Sequence, residues 1–309
     1  MSKENTAVTK KKIKRCKEDV VFDAACFIIL TLVLFVVAYP LYWVIISSIS
    51  APSAVSSGKV LLHPIGFTLK GYAEVFKNDQ VMRGFLNSLI ITFCGVMVNL
   101  IVTLPTSYAL SRSNFSGKKP ITIFYLITMF FGGGLIPTYL VIQRLQMLNT
   151  IWALILPGCL SVYNMIVART FFKSNISEEM YEAAEIDGCT QARFFFQIAL
   201  PLSKAIIAIL VLYYGVGHWN SYFSALVYIS DKAKYPLQLV LRNILITNQT
   251  ALSQTATTAA ARAALQEKQQ LIDVMKYSLI IISSIPVLVM YPLVQKHFVK
   301  GVMIGSMKG

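Results

Sequence analysis

The stretch Glu182-Ala183-Ala184-Glu185-Ile186-Asp187-Gly188 is followed, after nine residues, by Ile198-Ala199-Leu200-Pro201. Both stretches belong to a charged insert, residues 173–203, that lies between two segments apolar enough to cross a membrane. A segment of this kind is costly to bury in lipid, so it is expected beside the bilayer. There it offers a surface to which another chain can bind.

The composition of the whole chain predicts an integral membrane protein. Hydrophobic residues make up 56% of its 309 positions and charged residues only 14%, whereas soluble domains are about 25% charged. The mean hydropathy is +0.62. An apolar helix needs about 20 residues to cross a bilayer, and six segments meet that length: 24–48, 84–111, 120–142, 150–172, 204–230 and 272–295.

These segments predict an all-α membrane fold with six transmembrane helices. The domain organisation is a basic N-terminus (1–23), a six-helix domain (24–295) that contains the insert 173–203 between the fourth and fifth helices, and a C-terminal segment (296–309). Basic residues concentrate at both termini and in the insert. By the positive-inside rule, these parts are expected in the cytoplasm. The net charge of +14 therefore indicates topology and contact with lipid headgroups, not nucleic-acid binding.

Several kinds of chemistry are missing from the sequence. It contains no G-x-x-x-x-G-K-[ST] loop for ATP, no H-E-x-x-H zinc motif and no C-x-x-C pair. Its acidic residues all fall outside the predicted spans or at their edges, which disfavours coupling to protons or sodium ions. A membrane-embedded enzyme would need clustered acids, histidines or cysteines, and a passive channel would have no use for a docking insert.

The insert itself is predicted to form two short helices. Ser177 can cap the first helix, and Gly188 can end it in the left-handed conformation that glycine tolerates. A second amphipathic stretch, Thr190 to Ile198, contains three consecutive phenylalanines, and Pro201 is expected to begin the next membrane helix. The alternative is a plain solvated loop. The phenylalanines and small residues favour a helix that docks into a partner's groove.

At this point the chain resembles a known family. The pattern E-A-A-x₃-G-x₉-I-x-L-P, matched from Glu182 to Pro201, is similar to the cytoplasmic loop of the membrane subunits (permeases) of bacterial ABC importers. Residues 107–112 and 291–305 resemble carbohydrate-importer permeases related to the maltose importer. Residues 131–139 are similar to a subgroup for complex or polymer-derived oligosaccharides.

The resemblance implies a role for the insert. In the family this loop forms a coupling helix that sits in a cleft of the ATPase subunit, where the residue matching Glu182 is expected to meet a basic residue. Closure of the ATPase dimer on ATP then carries the coupling helix inward and turns the membrane helices outward. The residues expected to contact the ATPase are Glu182, Ala183, Ala184, Asp187, Gly188, Leu200 and Pro201.

The same resemblance implies the partners and the location of the chain. It is expected to be a non-enzymatic permease in a bacterial plasma membrane that binds no cofactor, because ATP and Mg²⁺ belong to the partner subunits. Those partners are two ABC ATPases, a second homologous permease (favouring a heterodimer) and an extracellular solute-binding protein. The expected solute is an oligosaccharide. The alternative is a permease for another solute, such as a small peptide.

Two groups of residues are candidates for the path of the solute. The fifth predicted span contains aromatic and amide side chains, with Tyr214, His218 and Tyr222 spaced as one helical stripe. Aromatic residues at membrane interfaces and glycines at helix contacts are the structural alternative. Within the external loop 231–271, residues 244–271 are either a surface helix that contacts a substrate-binding protein or disordered. The path candidates are Tyr213, Tyr214, His218, Trp219, Asn220, Tyr222 and Asn164, and the hinge or gate candidates are Gly133, Gly134 and Pro137.

Overall fold

The computed structural model describes residues 17–251 and 259–305, and these residues form helices and connecting loops with no β-strand among them. The helices are α1 (Lys17–Ser48), α2 (Pro52–Ser56), α3 (Lys70–Lys77), α4 (Asp79–Ser111), α5 (Lys118–Phe130), α6 (Leu135–Arg144), α7 (Trp152–Ile155), α8 (Val162–Asn175), α9 (Glu178–Ile186), α10 (Gln191–Phe194), α11 (Leu200–Leu202), α12 (Lys204–Trp219), α13 (Tyr222–Tyr228), α14 (Leu237–Ala251) and α15 (Ala259–Gly305).

By length and composition, three helices can cross a membrane: α1, α4 and the Gln269–Pro292 part of α15. Three further candidates are bent pairs. The α5–α6 pair bends by 113°, the Trp152–Gly158 and Val162–Asn175 pair by 52°, and the Gln191–Leu202 and Lys204–Trp219 pair by 79°. The described residues therefore hold up to six spans, of which three are interrupted.

The fifth predicted span, 204–230, differs from the structure because its helix ends at Trp219. At that point two polar side chains donate hydrogen bonds to backbone carbonyls of the last helical turn. The Asn220 amide donates to the Val216 carbonyl at 3.0 Å, and the Ser221 hydroxyl donates to the His218 carbonyl at 2.7 Å. These bonds satisfy carbonyls at the helix end and allow the chain to turn into α13. In the structure, the predicted span 204–230 therefore contains two helices, α12 and α13.

Helix α4 lies at the centre of the molecule, packed against α8, α12 and α14. Asn99, Thr103 and Ser107 repeat every four residues on one of its faces, and all three are fully buried. Small polar side chains at such spacing allow close helix contact and supply hydrogen bonds where no water is available. We call these three residues the polar ladder of α4.

The polar ladder joins α4 to the interrupted fourth span. The Asn99 amide donates to the Gly158 carbonyl at 2.7 Å, at the break between α7 and α8. Below it, the Ser107 hydroxyl donates to the Met165 carbonyl at 3.1 Å. The freed Gly158 carbonyl therefore has a partner within the protein, which an unwound segment at membrane depth requires.

The polar ladder also joins α4 to α12. The Thr103 and Tyr214 hydroxyls lie 2.7 Å apart, and the Tyr214 oxygen accepts the Ser161 backbone N–H at 3.2 Å. The His218 Nε2 lies 2.6 Å from the Asn99 side-chain oxygen. A Cβ at Gly95 would overlap the His218 ring, so the absence of a side chain at this position leaves room for the ring.

We predict that Asn99→Leu lowers the free energy of unfolding by about 1–3 kcal/mol, because the Gly158 carbonyl and His218 lose their partner. Reversible unfolding in mixed detergent micelles measures this change. The matched control is Ile101→Leu on the same helix, whose side chain is exposed and whose replacement should have little effect. Equal stability of the Asn99 and Ile101 variants would contradict a supporting role for the ladder.

Candidate functional site

The first helix of the insert forms as its sequence predicts. Ser177 accepts the Met180 backbone N–H at 3.3 Å, and two acidic residues occupy the first turn of α9. Gly188 has φ +78°, and a Cβ at that position would have nothing within 4 Å. Glycine is therefore required for its backbone conformation and not for space. The predicted cap and the predicted glycine turn are both confirmed.

The second half of the insert differs from the prediction at Pro201. Helix α10 passes into a π-helical turn, Phe195–Ala199, and Pro201 lies in the short α11 that follows. The long helix α12 begins only at Lys204, after a bend of 79°. π-helical turns are rare and frequently occur at functional sites, and proline supplies no N–H to continue the helix. Pro201 therefore ends the insert and does not begin the membrane helix.

Two of the three phenylalanines of the insert pack inside the protein. Phe195 lies 5.0 Å from Tyr108, and Phe194 lies 5.2 Å from Tyr181, measured between ring centroids. Both phenylalanines are buried, whereas 64% of Phe196 is exposed. The expectation that all three form a docking face was wrong, because the end of α4 already offers Phe194 and Phe195 an apolar surface.

The outer face of α9 combines an acidic and an apolar side chain. Glu182 and Ile186 are separated by one helical turn and both are exposed, Ile186 to 87%. Ala184 and Leu200 pack against the buried core of this end of the molecule. Ile186 was not among the residues expected to contact the ATPase, because only the fold distinguishes it from the inward-facing apolar residues. The predicted residues that remain exposed are Glu182, Ala183, Asp187, Gly188 and Pro201.

An ion pair joins α9 to the end of α4. The Arg112 guanidinium pairs with the Glu178 carboxylate and lies 4.6 Å from the centroid of the Tyr181 ring. The Ser113 backbone N–H donates to the same carboxylate at 3.0 Å. The arginine side chain is only 13% exposed, so water screens the pair less than it would on an open surface. We call this contact the Arg112–Glu178 link.

The Arg112–Glu178 link shifts the pKa of Glu178. Burial raises this pKa, but the hydrogen bonds from Ser113 and the positive charge of Arg112 outweigh burial and lower it. The carboxylate is therefore ionised at neutral pH. The link was missed in the sequence, where its partners lie 66 positions apart.

Three of the predicted path residues face other helices of the same chain. Tyr214 and His218 bind the polar ladder of α4. Trp219 is 2% exposed and donates to the Ser283 carbonyl at 2.9 Å. Asn220 is exposed beyond the end of α12, and Tyr222 is exposed on α13. The predicted stripe from Tyr214 to Tyr222 is therefore not continuous.

The structure brings two other predicted path residues together. Asn164 on α8 and Tyr213 on α12 line one groove, to which α15 also contributes.

The hinge candidates Gly133, Gly134 and Pro137 lie at the 113° bend between α5 and α6, where Gly134 has φ +83°. Of the external segment 231–271, residues 252–258 lie outside the described residues, as do the terminal residues 1–16 and 306–309.

No protein-family model matches the chain. It is 35% identical, over 93% of its length and 98% of the relative, to the polygalacturonan/rhamnogalacturonan transport system permease protein YtcP of Bacillus subtilis. It is 29% identical, over 92% of its length and 94% of the relative, to the galactooligosaccharides transport system permease protein GanQ of the same organism. A crystal structure of a bacterial ABC transporter involved in the import of the acidic polysaccharide alginate matches with a TM-score of 0.83 and 27% identity, covering 93% of this chain and 100% of the other.

The lowered pKa of Glu178 predicts a pH-dependent contribution to stability. A carboxyl group with a lowered pKa stabilises the fold above its unfolded-state pKa of about 4.3, and this contribution is lost as the pH falls through the folded-state pKa. Glu178→Gln should therefore be less stable than the wild type at pH 7, and the difference should shrink as the pH falls below about 4.3 and vanish below the folded-state pKa. Unfolding in detergent at pH 7 and at a pH below the folded-state pKa measures it.

Glu182→Gln is the matched control for this experiment, since its carboxylate is exposed one turn further along α9. It should unfold like the wild type at both pH values. A Glu178→Gln variant as stable as the wild type at pH 7 would contradict a stabilising Arg112–Glu178 link.

Proposed function

The chain belongs to the permeases of carbohydrate ABC transporters, and on that basis we propose that it forms one membrane-spanning half of an importer for an oligosaccharide. The carbohydrates named for its relatives support this class of solute, and no observation favours a small peptide. The observation that carries the proposal is the exposed face of α9, where Glu182 and Ile186 lie beside the Gly188 turn. This face is the surface that docks into an ATPase subunit.

The docking face suits a cleft with a basic rim and an apolar floor. Glu182 supplies the charge that pairs with a basic residue of the ATPase. Ile186 supplies an apolar side chain that is 87% exposed in this chain and is buried when the ATPase covers it. Ala183 allows close approach of the partner backbone, and Asp187 extends the acidic charge. Gly188 sets the angle between α9 and α10, while Leu200 and Pro201 hold the far end of the insert.

The Arg112–Glu178 link carries movement of α9 into the membrane domain. Arg112 follows the last residue of α4, so α9 pulls on a helix whose polar ladder contacts α8 and α12. A displacement of α9 by the ATPase therefore reaches the interrupted fourth span and α12 through direct contacts. The bend at Gly133, Gly134 and Pro137 acts as a hinge or gate during this change.

The complete importer contains this chain and a second permease as a heterodimer, two ATPase subunits and an extracellular solute-binding protein. Both termini and the insert lie in the cytoplasm of a bacterial cell, as the basic residues indicate. The chain catalyses no reaction and binds no cofactor; ATP and Mg²⁺ bind to the ATPase subunits. Asn220 and Tyr222, both exposed near the end of α12, contact the solute at the outer part of the path.

We predict that Glu182→Lys abolishes co-purification of the ATPase while the variant still inserts into the membrane, because the reversed charge repels the basic rim of the cleft. Pull-down from co-expressing cells measures retained ATPase. Asp79→Lys is the matched control, since Asp79 is also an exposed acidic residue and lies at the opposite end of α4 from the insert; it should retain the ATPase. Normal retention by Glu182→Lys would contradict the docking role.

Breaking the Arg112–Glu178 link should uncouple transport without releasing the ATPase. For Arg112→Gln we expect normal ATPase retention, since α9 keeps its docking face, and a fall in uptake of about tenfold, the effect of about 1.4 kcal/mol. Uptake of an oligogalacturonate by cells expressing the complex measures this. The charge-swapped pair Arg112→Glu with Glu178→Arg should restore part of the uptake. Full uptake by Arg112→Gln would show that movement does not pass through this link.

A further inference from the structure

The chain between α2 and α3 folds back along the end of α1. Its first part, residues 58–66, begins at Gly58 and ends at Gly66, and both glycines have φ +67°. Glycine tolerates this left-handed conformation, and a Cβ at Gly66 would also lie only 2.9 Å from the Ala51 Cβ. The Ala51 backbone N–H donates to the Ile65 carbonyl at 2.9 Å, so the chain leaves the end of α1 and returns to it. We call residues 58–66 the fold-back loop.

Aromatic side chains of α1 hold the middle of the fold-back loop. Three consecutive loop carbonyls accept hydrogen bonds from Trp43 to Val60 at 2.8 Å, from Tyr42 to Leu62 at 2.6 Å and from Tyr39 to Leu61 at 3.4 Å. The three aromatic residues precede Ser48, the end of α1, by five to nine positions, which is about 8 to 14 Å along a helix. Residues 60–62 therefore lie beside α1 and well below its end.

That part of α1 lies at the boundary of the hydrocarbon core. Helix α1 carries charged side chains only between Lys17 and Asp23. A helix crosses the core of about 30 Å in about 20 residues, so a span that begins at Ala24 leaves the core near Trp43. Tyrosine and tryptophan are typical of this boundary. The middle of the fold-back loop lies at the same depth.

The fold-back loop also lies on the side of the membrane away from the insert. It belongs to the connection between α1 and α4, which ends where α4 begins at Asp79. Helix α4 then runs for 33 residues to Ser111, where the Arg112–Glu178 link joins it to the insert. The loop and the insert are therefore at opposite ends of α4.

The side chains of the loop divide between the protein and its surroundings. Val60 is 1% exposed and belongs to a buried cluster that includes Val274 of α15. Leu61 is 60% exposed and Leu62 is 68% exposed. Val60 therefore fixes the loop to the protein, while the two leucines that follow it are uncovered.

The hydrogen bonds from α1 suit a loop that is out of water. Backbone carbonyls on an aqueous surface are satisfied by solvent. Acyl chains offer no donor, so a loop that touches them needs donors from the protein. The indole of Trp43 and the phenols of Tyr42 and Tyr39 supply those donors while the leucine side chains stay exposed.

We propose that the fold-back loop is a lipid anchor, which inserts Leu61 and Leu62 among the acyl chains of the leaflet away from the insert. Lys59 and His63 flank the leucines, and both are exposed; they reach the headgroup layer, as basic side chains do at a membrane boundary. Lysine is depleted in the cores of protein interfaces, so this pattern suits phospholipid better than a partner subunit.

The anchor has a structural consequence for α1. Trp43 contacts Tyr277 of α15 edge to face, with ring centroids 5.1 Å apart, and the same Trp43 binds the loop. The loop therefore joins α1, α15 and the lipid at one level. It fixes the depth of α1 in the bilayer, whichever solute the protein carries.

The first test measures what surrounds the loop. The full chain, with its five cysteines replaced by serine and its co-expressed partner subunits bound, is placed in nanodiscs of phosphatidylethanolamine and phosphatidylglycerol. A nitroxide at Leu62→Cys is compared with one at Ser57→Cys, an exposed position just before the loop. Power-saturation electron paramagnetic resonance then measures collisions with oxygen, which concentrates among acyl chains, and with a water-soluble nickel chelate.

We expect the ratio of oxygen to nickel collisions to be several-fold higher at Leu62 than at Ser57. Nickel collisions at Leu62 as frequent as at Ser57 would place the loop in water and overturn the proposal. Few collisions with either reagent would show that a protein subunit covers the loop, which would overturn it as well. Both failures leave the importer proposal intact, because they concern only the surroundings of this loop.

The second test removes one donor of α1. With the label at Leu62, Tyr42→Phe should raise nickel collisions several-fold, because the freed Leu62 carbonyl draws the loop toward water. Tyr72→Phe is the matched control, since the Tyr72 hydroxyl lies 2.9 Å from the Ser48 hydroxyl and does not bind the loop; its label should behave as in the parent. Unchanged collisions in Tyr42→Phe would contradict the role of α1 in holding the anchor.

Discussion

The hydrogen bond between Asn99 and the Gly158 carbonyl is the contact on which the membrane domain depends. An interrupted helix frees backbone groups that lipid cannot satisfy, so a break at this depth needs a donor from a neighbouring helix. Asn99 supplies it, and Thr103 and Ser107 continue the same face of α4 toward the insert. Helix α4 therefore fixes the position of the fourth span relative to α12.

The polar ladder and the Arg112–Glu178 link together make α4 the connection between the insert and the groove. At one end of α4 the link holds α9, whose outer face is free for a partner. Along its length, α4 contacts the two helices that carry Asn164 and Tyr213, which line the groove. In the proposed importer, movement at the insert passes to these helices through packed side chains, with no need for flexible segments between them.

Much of this architecture could be predicted from the sequence, because the length of apolar segments and the local motifs depend on interactions between residues that are close in sequence. The Ser177 cap and the Gly188 turn depend only on neighbouring residues and were predicted correctly. The burial of Phe194 and Phe195 could not be predicted, since it depends on Tyr108, far away in the chain. The end of α12 at Trp219 was missed because side-chain hydrogen bonds, and no proline, end that helix.

In the proposed importer, α9 and α4 move as one body when the ATPase closes. Spin labels at Asn114→Cys, just beyond α4, and Met180→Cys, on α9, report their separation by pulsed electron paramagnetic resonance in the assembled, otherwise cysteine-free complex. We expect the same distance distribution without nucleotide and with trapped ATP, while the distance between a label pair across the two ATPase subunits changes. A change of several ångströms between Asn114 and Met180 would contradict it.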